Sequence, residues 1–90
     1  MSRDYVQSEA ERMFWKLGYT KYESKFLNSI MYKNKAHQIV FMLEQQRFYA
    51  SIDESDINFN KYRPMEIDFD EYECIAKQIE ELGWKGKSRE

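Results

Sequence analysis

The 90-residue sequence contains one cysteine, one histidine, one proline and three glycines. A single cysteine excludes an internal disulfide, and one cysteine with one histidine cannot assemble a conventional zinc site. The glycines, Gly18, Gly83 and Gly86, are too scattered for a phosphate-cradling loop, and no nucleophile elbow surrounds them. No apolar run approaches the ~18 residues of a membrane-spanning helix. Charge of one sign is also lacking. Fourteen Lys+Arg face 16 Asp+Glu, for a net charge of −2, which argues against a strongly basic nucleic-acid binder. The opening MSRDYVQSEAER is too polar for a secretory signal, so a reducing, cytoplasmic setting is expected. What is present is apolar material: 42% of residues are hydrophobic and 17% aromatic. That excludes intrinsic disorder and is consistent with a single small globular domain over residues 1–90.

Two segments read as helices. Val6, Ala10, Met13, Phe14 and Leu17 recur at the spacing of one helical face. Either Asp4 with Gln7 or Ser8 with Glu11 supplies the capping box, and Gly18 ends the helix, letting Tyr19 fold back on Phe14. The second helix starts at a capping box of Asp68 and Glu71, with Ile67 and Tyr72 placed as a hydrophobic staple. Tyr72, Ile75, Ala76, Ile79 and Leu82 form its expected buried stripe. Gly83 stops it, and Trp84 packs back toward Ile79.

Between the helices the period changes to two. Phe26, Asn28, Ile30 and Tyr32 would share one strand face. Ile39, Phe41 and Leu43 alternate with Val40 and Met42, and Phe48, Ala50 and Ile52 alternate with Tyr49 and Ser51. Lys33-Asn34-Lys35 and Glu44-Gln45-Gln46 are the turns. Residues 57–62 read either as a fourth, edge strand or as an extended loop, because Pro64 is incompatible with a central strand. The expected fold is therefore α+β, a two-layer α-β-β-β-α arrangement. An antiparallel sheet of three strands, or four, carries both helices on one face.

Catalytic and metal chemistry find little support. His37 has no partner nearby in sequence for general-base work. Cys74 falls opposite the apolar stripe of its helix, so an accessible but incidental thiol is expected. Asp53, Asp56, Asn58 and Asn60 have oxygen ligands at loop spacing, but the glycine and terminal glutamate of a calcium-binding loop are missing. No catalytic residue, cofactor or metal is assigned, and the chain reads as a non-enzyme.

Binding is the remaining class. Residues 1–50 hold 8 Lys+Arg and 5 Asp+Glu, whereas residues 51–90 hold 6 and 11, so one end of the molecule is acidic. Clustered carboxylates steer basic partners or imitate nucleic-acid phosphates. On the first helix the wheel turns Trp15 away from the apolar face, with Arg12 and Tyr19 on the same outer side, the composition of an interface hot spot. The expected partner-binding residues are thus Arg12, Trp15 and Tyr19 on one surface. Asp53, Glu54, Asp56, Phe59, Tyr62 and Arg63 form another. The alternative is a nucleic-acid surface, in which Lys21, Lys25, Lys33, Lys35 and the tail bases interleave with Tyr19, Tyr22, Tyr32 and Trp84. Membrane association is not expected, and both a monomer and a homodimer are open.

The stretches Ala10–Tyr19, AERMFWKLGY, and Asp70–Trp84, DEYECIAKQIEELGW, resemble the two ends of small proteins encoded by phages and prophages of Gram-positive bacteria. Those proteins run from a short helix ending in KLGY, through a strand meander, to a closing helix ending in IEELGW. The likeness covers about a third of the chain directly, and its motifs are helix caps and core stripes. It implies a mobile-element accessory protein in a bacterial cytoplasm, a class that includes inhibitors of host defence such as anti-CRISPR proteins. The implied partner is a bacterial host protein or ribonucleoprotein complex. Trp15 departs from the charged residue expected at its place in this pattern, which fits a partner surface particular to this chain.

Overall fold

Ser8 opens the first helix by accepting a hydrogen bond from the Glu11 amide at 3.1 Å, satisfying one of the amides that a helix start leaves unpaired. The structure is a computed structural model and describes residues 7–53 and 62–85. The elements in order are α1 (Glu9–Lys16), β1 (Thr20–Ser24), β2 (Ser29–Asn34), β3 (His37–Met42), β4 (Arg47–Asp53), β5 (Tyr62–Pro64) and α2 (Phe69–Leu82). This is an α+β fold with two helices and one antiparallel meander in the order β1-β2-β3-β4-β5.

Both helices end by the same device. Gly18 takes φ +96 and Gly83 φ +71, left-handed values that cost a residue with a Cβ atom energy. At the first end Tyr19 donates its amide to the Phe14 carbonyl and Gly18 donates to that of Trp15. At the second, Trp84 donates to Ile79 and Gly83 to Glu80. This paired 6→1 and 5→2 pattern closes the open carbonyls of each helix. At Gly18 a Cβ would also meet Asn34 Nδ2 at 3.0 Å.

The strand pattern predicts three strands, or four, and the sheet has five. The unforeseen strand is β1, whose sequence TKYES lacks the apolar alternation that marks a half-buried strand. Lys21 Nζ lies 3.1 Å from Glu23 within the strand and 3.7 Å from Glu11 of α1, so an ion pair joins β1 to the helix layer. Phe26 and Asn28, expected on a strand face, lie in the β1–β2 turn, where Asn28 takes φ 52. Of residues 57–62, read as an edge strand or an extended loop, 57–61 lie outside the described residues; Tyr62 opens β5, which pairs with β4 through Asp53↔Tyr62 and Ile52↔Arg63. Pro64 sits on this edge, where a missing amide is tolerated.

The core lies between sheet and helices. Ile30 and Tyr32 of β2 and Ile39 and Phe41 of β3 meet Phe14 of α1 and Cys74 and Ile75 of α2. Phe14 stacks on Tyr32 with ring centroids 3.8 Å apart, and Phe41 meets both rings edge-on.

Candidate functional site

The orientation of α2 governs the surface. Its capping box is formed, with Glu71 donating its amide to Asp68 Oδ1 at 2.8 Å and the Asp68 amide donating to Glu71 Oε1 at 3.0 Å. The other carboxylate oxygen of Glu71 accepts from the Tyr19 hydroxyl at 2.8 Å. Two turns further on, Gln78 Oε1 accepts from the Tyr32 hydroxyl at 2.6 Å, with both side chains buried. These two tyrosines let polar residues face the core, because each buried oxygen has its partner.

The predicted stripe of α2 is corrected accordingly. The fully buried positions are Cys74, Ile75 and Gln78, so the helix is turned by about one residue from the orientation the apolar spacing suggests. Cys74, expected to be accessible, is 2% exposed, whereas Tyr72 and Ala76, expected in the core, lie outside. Two helices of ~10 Å diameter cover about four strands spaced ~4.8 Å apart. The inward side of β4 is left partly open, and Phe48 there is exposed. The result is a groove lined by Phe48, Ile67, Tyr72, Ile75, Ala76 and Ile79. Phe69, 69% exposed, stacks on Tyr72 with centroids 6.1 Å apart at the α2 start.

Charge surrounds this apolar strip. Residues 65–85 hold seven acids and two bases. Asp68 and Glu71 serve as caps, Glu81 Oε2 accepts from the Ala10 amide at 2.9 Å, and Glu80 pairs with Lys77 at 3.1 Å. Glu66, Asp70 and Glu73 have no ion-pair partner among the described residues, so their charge faces outward.

The residues singled out from sequence fall at three places. Trp15 is 66% exposed, and Arg12 is exposed with Nη1 3.4 Å from the Gln7 carbonyl. Tyr19 does not join them. The turn at Gly18 sends it under the helix, where it is 2% exposed and meets Phe14 edge-on at 5.7 Å. Asp53, Tyr62 and Arg63 gather at the opposite end of the sheet through the β4–β5 pairing, with Asp53 half-buried and its amide donating to the Ala36 carbonyl at 2.7 Å. Glu54, Asp56 and Phe59 lie outside the described residues. Since β1 and β5 are the two edges of the sheet, the two proposed surfaces do not form one site. Of the tyrosines expected on a nucleic-acid surface, Tyr19 and Tyr32 are core residues, while Tyr22 stands on the open face. Sequence reasoning missed the α2–β4 groove. Its one legible signal is the run of exposed-period residues Phe69, Tyr72 and Ala76, which is indistinguishable from a core stripe until the helix is docked.

His37 is exposed at the start of β3. Among the described residues no three of His, Cys, Asp and Glu lie close enough to hold a metal ion, and no helix is long and apolar enough to cross a membrane. Burial first, and then the carboxylates of Asp70 and Glu71, push the Cys74 thiol up from 9.0 to about 11. The Tyr19 phenol is raised by burial and by its bond to Glu71. Both groups keep their protons in the folded chain where the unfolded chain releases them. For Cys74 the stabilising effect is therefore complete below pH 9.0 and is lost as pH rises through about 11; for Tyr19 the loss begins only above pH 10.0. Thermal unfolding at about pH 8 and about pH 10.5 should show a fall in Tm that Cys74→Ala makes shallower. A Tm unchanged across that range would contradict it. At the lower pH a thiol reagent should label Cys74 only after denaturant is added.

The chain matches no family model, no curated protein and no solved structure.

Proposed function

We propose that this chain is a non-catalytic protein-binding module that docks through the groove between α2 and β4. The observation that carries the reading is the apolar strip of Phe48, Tyr72, Ala76 and Ile79, on a stretch of chain whose Glu66, Asp70 and Glu73 have no ion-pair partner among the described residues. An exposed aromatic surface with a charged rim is the composition of a binding hot spot. Its acidic surroundings favour a partner segment with apolar side chains flanked by lysine or arginine. The resemblance of the helix ends supports a mobile-element origin. In that setting the partner is a bacterial host protein or ribonucleoprotein complex, and docking inhibits it, as anti-CRISPR proteins inhibit a defence system in the host cytoplasm.

The test is a pull-down from nuclease-treated bacterial lysate with the tagged chain, followed by affinity measurement on the captured protein. Tyr72→Ala should weaken binding by about 2 kcal/mol, or ~30-fold, and Ala76→Arg should block it, both with an unchanged far-UV spectrum. A partner bound equally well by all three chains would overturn the groove as the docking surface. Recovery of nucleic acid alone, lost as salt rises, would favour a sheet surface using Tyr22 and the neighbouring lysines.

A further inference from the structure

The outer edge of β1 carries the inference that goes beyond the groove. β1 is the first strand of the sheet, and among the described residues only β2 pairs with it. Its free backbone amides and carbonyls form a template for another strand. Edge strands are commonly protected by charge, and here the charges follow a particular order, Thr20-Lys21-Tyr22-Glu23-Ser24. We infer that β1 pairs antiparallel with β1 of a second copy of this chain, about a two-fold axis at Tyr22, to give a continuous ten-stranded sheet.

Symmetry and charge select this register. A two-fold axis perpendicular to the sheet keeps every residue on its own face, so only residues of the same parity meet. Centring the axis at Lys21 or at Glu23 sets like charges opposite each other. Centring it at Tyr22 sets Lys21 opposite Glu23 of the second copy twice, with Thr20 opposite Ser24, and uses the whole strand. Directly opposed residues on one face lie ~5 Å apart, close enough for these pairs to count.

Exposed apolar side chains gather along the same edge. Glu11 reaches Lys21 of β1 at 3.7 Å, and Trp15 lies one turn further along that side of α1. Phe26, 94% exposed, and Leu27 form the tip of the β1–β2 turn. In the selected register Ser24, where that turn begins, falls opposite Thr20 of the second copy, the first β1 residue after that copy's α1. On the open face the row Tyr22, Met31, Val40, Tyr49 meets its own image at Tyr22.

Sedimentation over a concentration series tests the pairing. The unmodified chain should pass from monomer to dimer. Lys21→Glu and Glu23→Lys each place like charges in both pairs and should raise the dimer Kd at least about tenfold. An equimolar mixture of the two variants restores both attractive pairs, so it should form a heterodimer although neither variant pairs alone. This mixing result controls for any effect of Lys21→Glu on the Glu11 contact within one chain. Ala76→Arg should leave the dimer unchanged, separating this edge from the groove. A chain monomeric up to about 1 mM, a dimer indifferent to both reversals, or a mixture that stays monomeric would overturn the pairing.

Discussion

Phe14→Ala is expected to destabilise the fold by about 3–5 kcal/mol, a large part of the ~5–15 kcal/mol available to a domain of this size. Phe14 is fully buried and lies against three other rings: Tyr32 face to face, and Tyr19 and Phe41 at their edges. Truncation removes the transfer free energy of the ring and leaves a cavity whose walls come from α1, β2 and β3, which cannot all move inward together. Aromatic pairing adds ~0.5–1.5 kcal/mol per favourable contact beyond burial. Equilibrium urea unfolding measures the loss as a lowered midpoint at constant slope. A cost below ~1.5 kcal/mol would mean that the rings close over the gap and that α1 is not the centre of the core.

Glu71→Ala should cost about 2–4 kcal/mol, more than its place on the rim of a helix suggests. Its two carboxylate oxygens serve different elements: one completes the α2 cap at Asp68, and the other receives the hydroxyl of buried Tyr19. The substitution removes half of the cap and leaves a buried donor without its acceptor. The second loss disappears when the donor is removed as well. Tyr19→Phe combined with Glu71→Ala should therefore cost clearly less than the two changes added together. Additive costs would show that the Tyr19 bond contributes nothing to stability.

Where a residue's role is set by its neighbours along the chain, it was legible. Ser8, Gly18, Asp68, Glu71 and Gly83 act as their spacing predicts, because caps and left-handed turns depend on a few adjacent residues. The strands β2, β3 and β4 carry enough alternating apolar residues to be read from sequence. β1 does not, since it is held through Lys21. The roll of α2 was illegible for a different reason. A helix wheel counts Gln78 and Glu71 as polar and turns them outward, but hydrogen bonds from Tyr32 and Tyr19, 46 and 52 residues away, turn them inward. That rotation buries Cys74, exposes Tyr72 and creates the groove. The candidate site is thus a product of long-range pairing, and only Trp15 and Arg12 of the surface residues expected from local pattern are found exposed on α1.

The order of the sheet also bears on how the molecule opens and closes. Every strand neighbour is also the next strand in sequence, so the meander can zip hairpin by hairpin at small loop-closure cost. α2 is different: its latches at Glu71, Gln78 and Glu81 reach back 52, 46 and 71 residues. It behaves as a clasp on a ribbon of local hairpins, the last element to dock and the natural unit of partial opening. A partner seated against both α2 and β4 would hold that clasp shut, and its residence time would then set the lifetime of the native state.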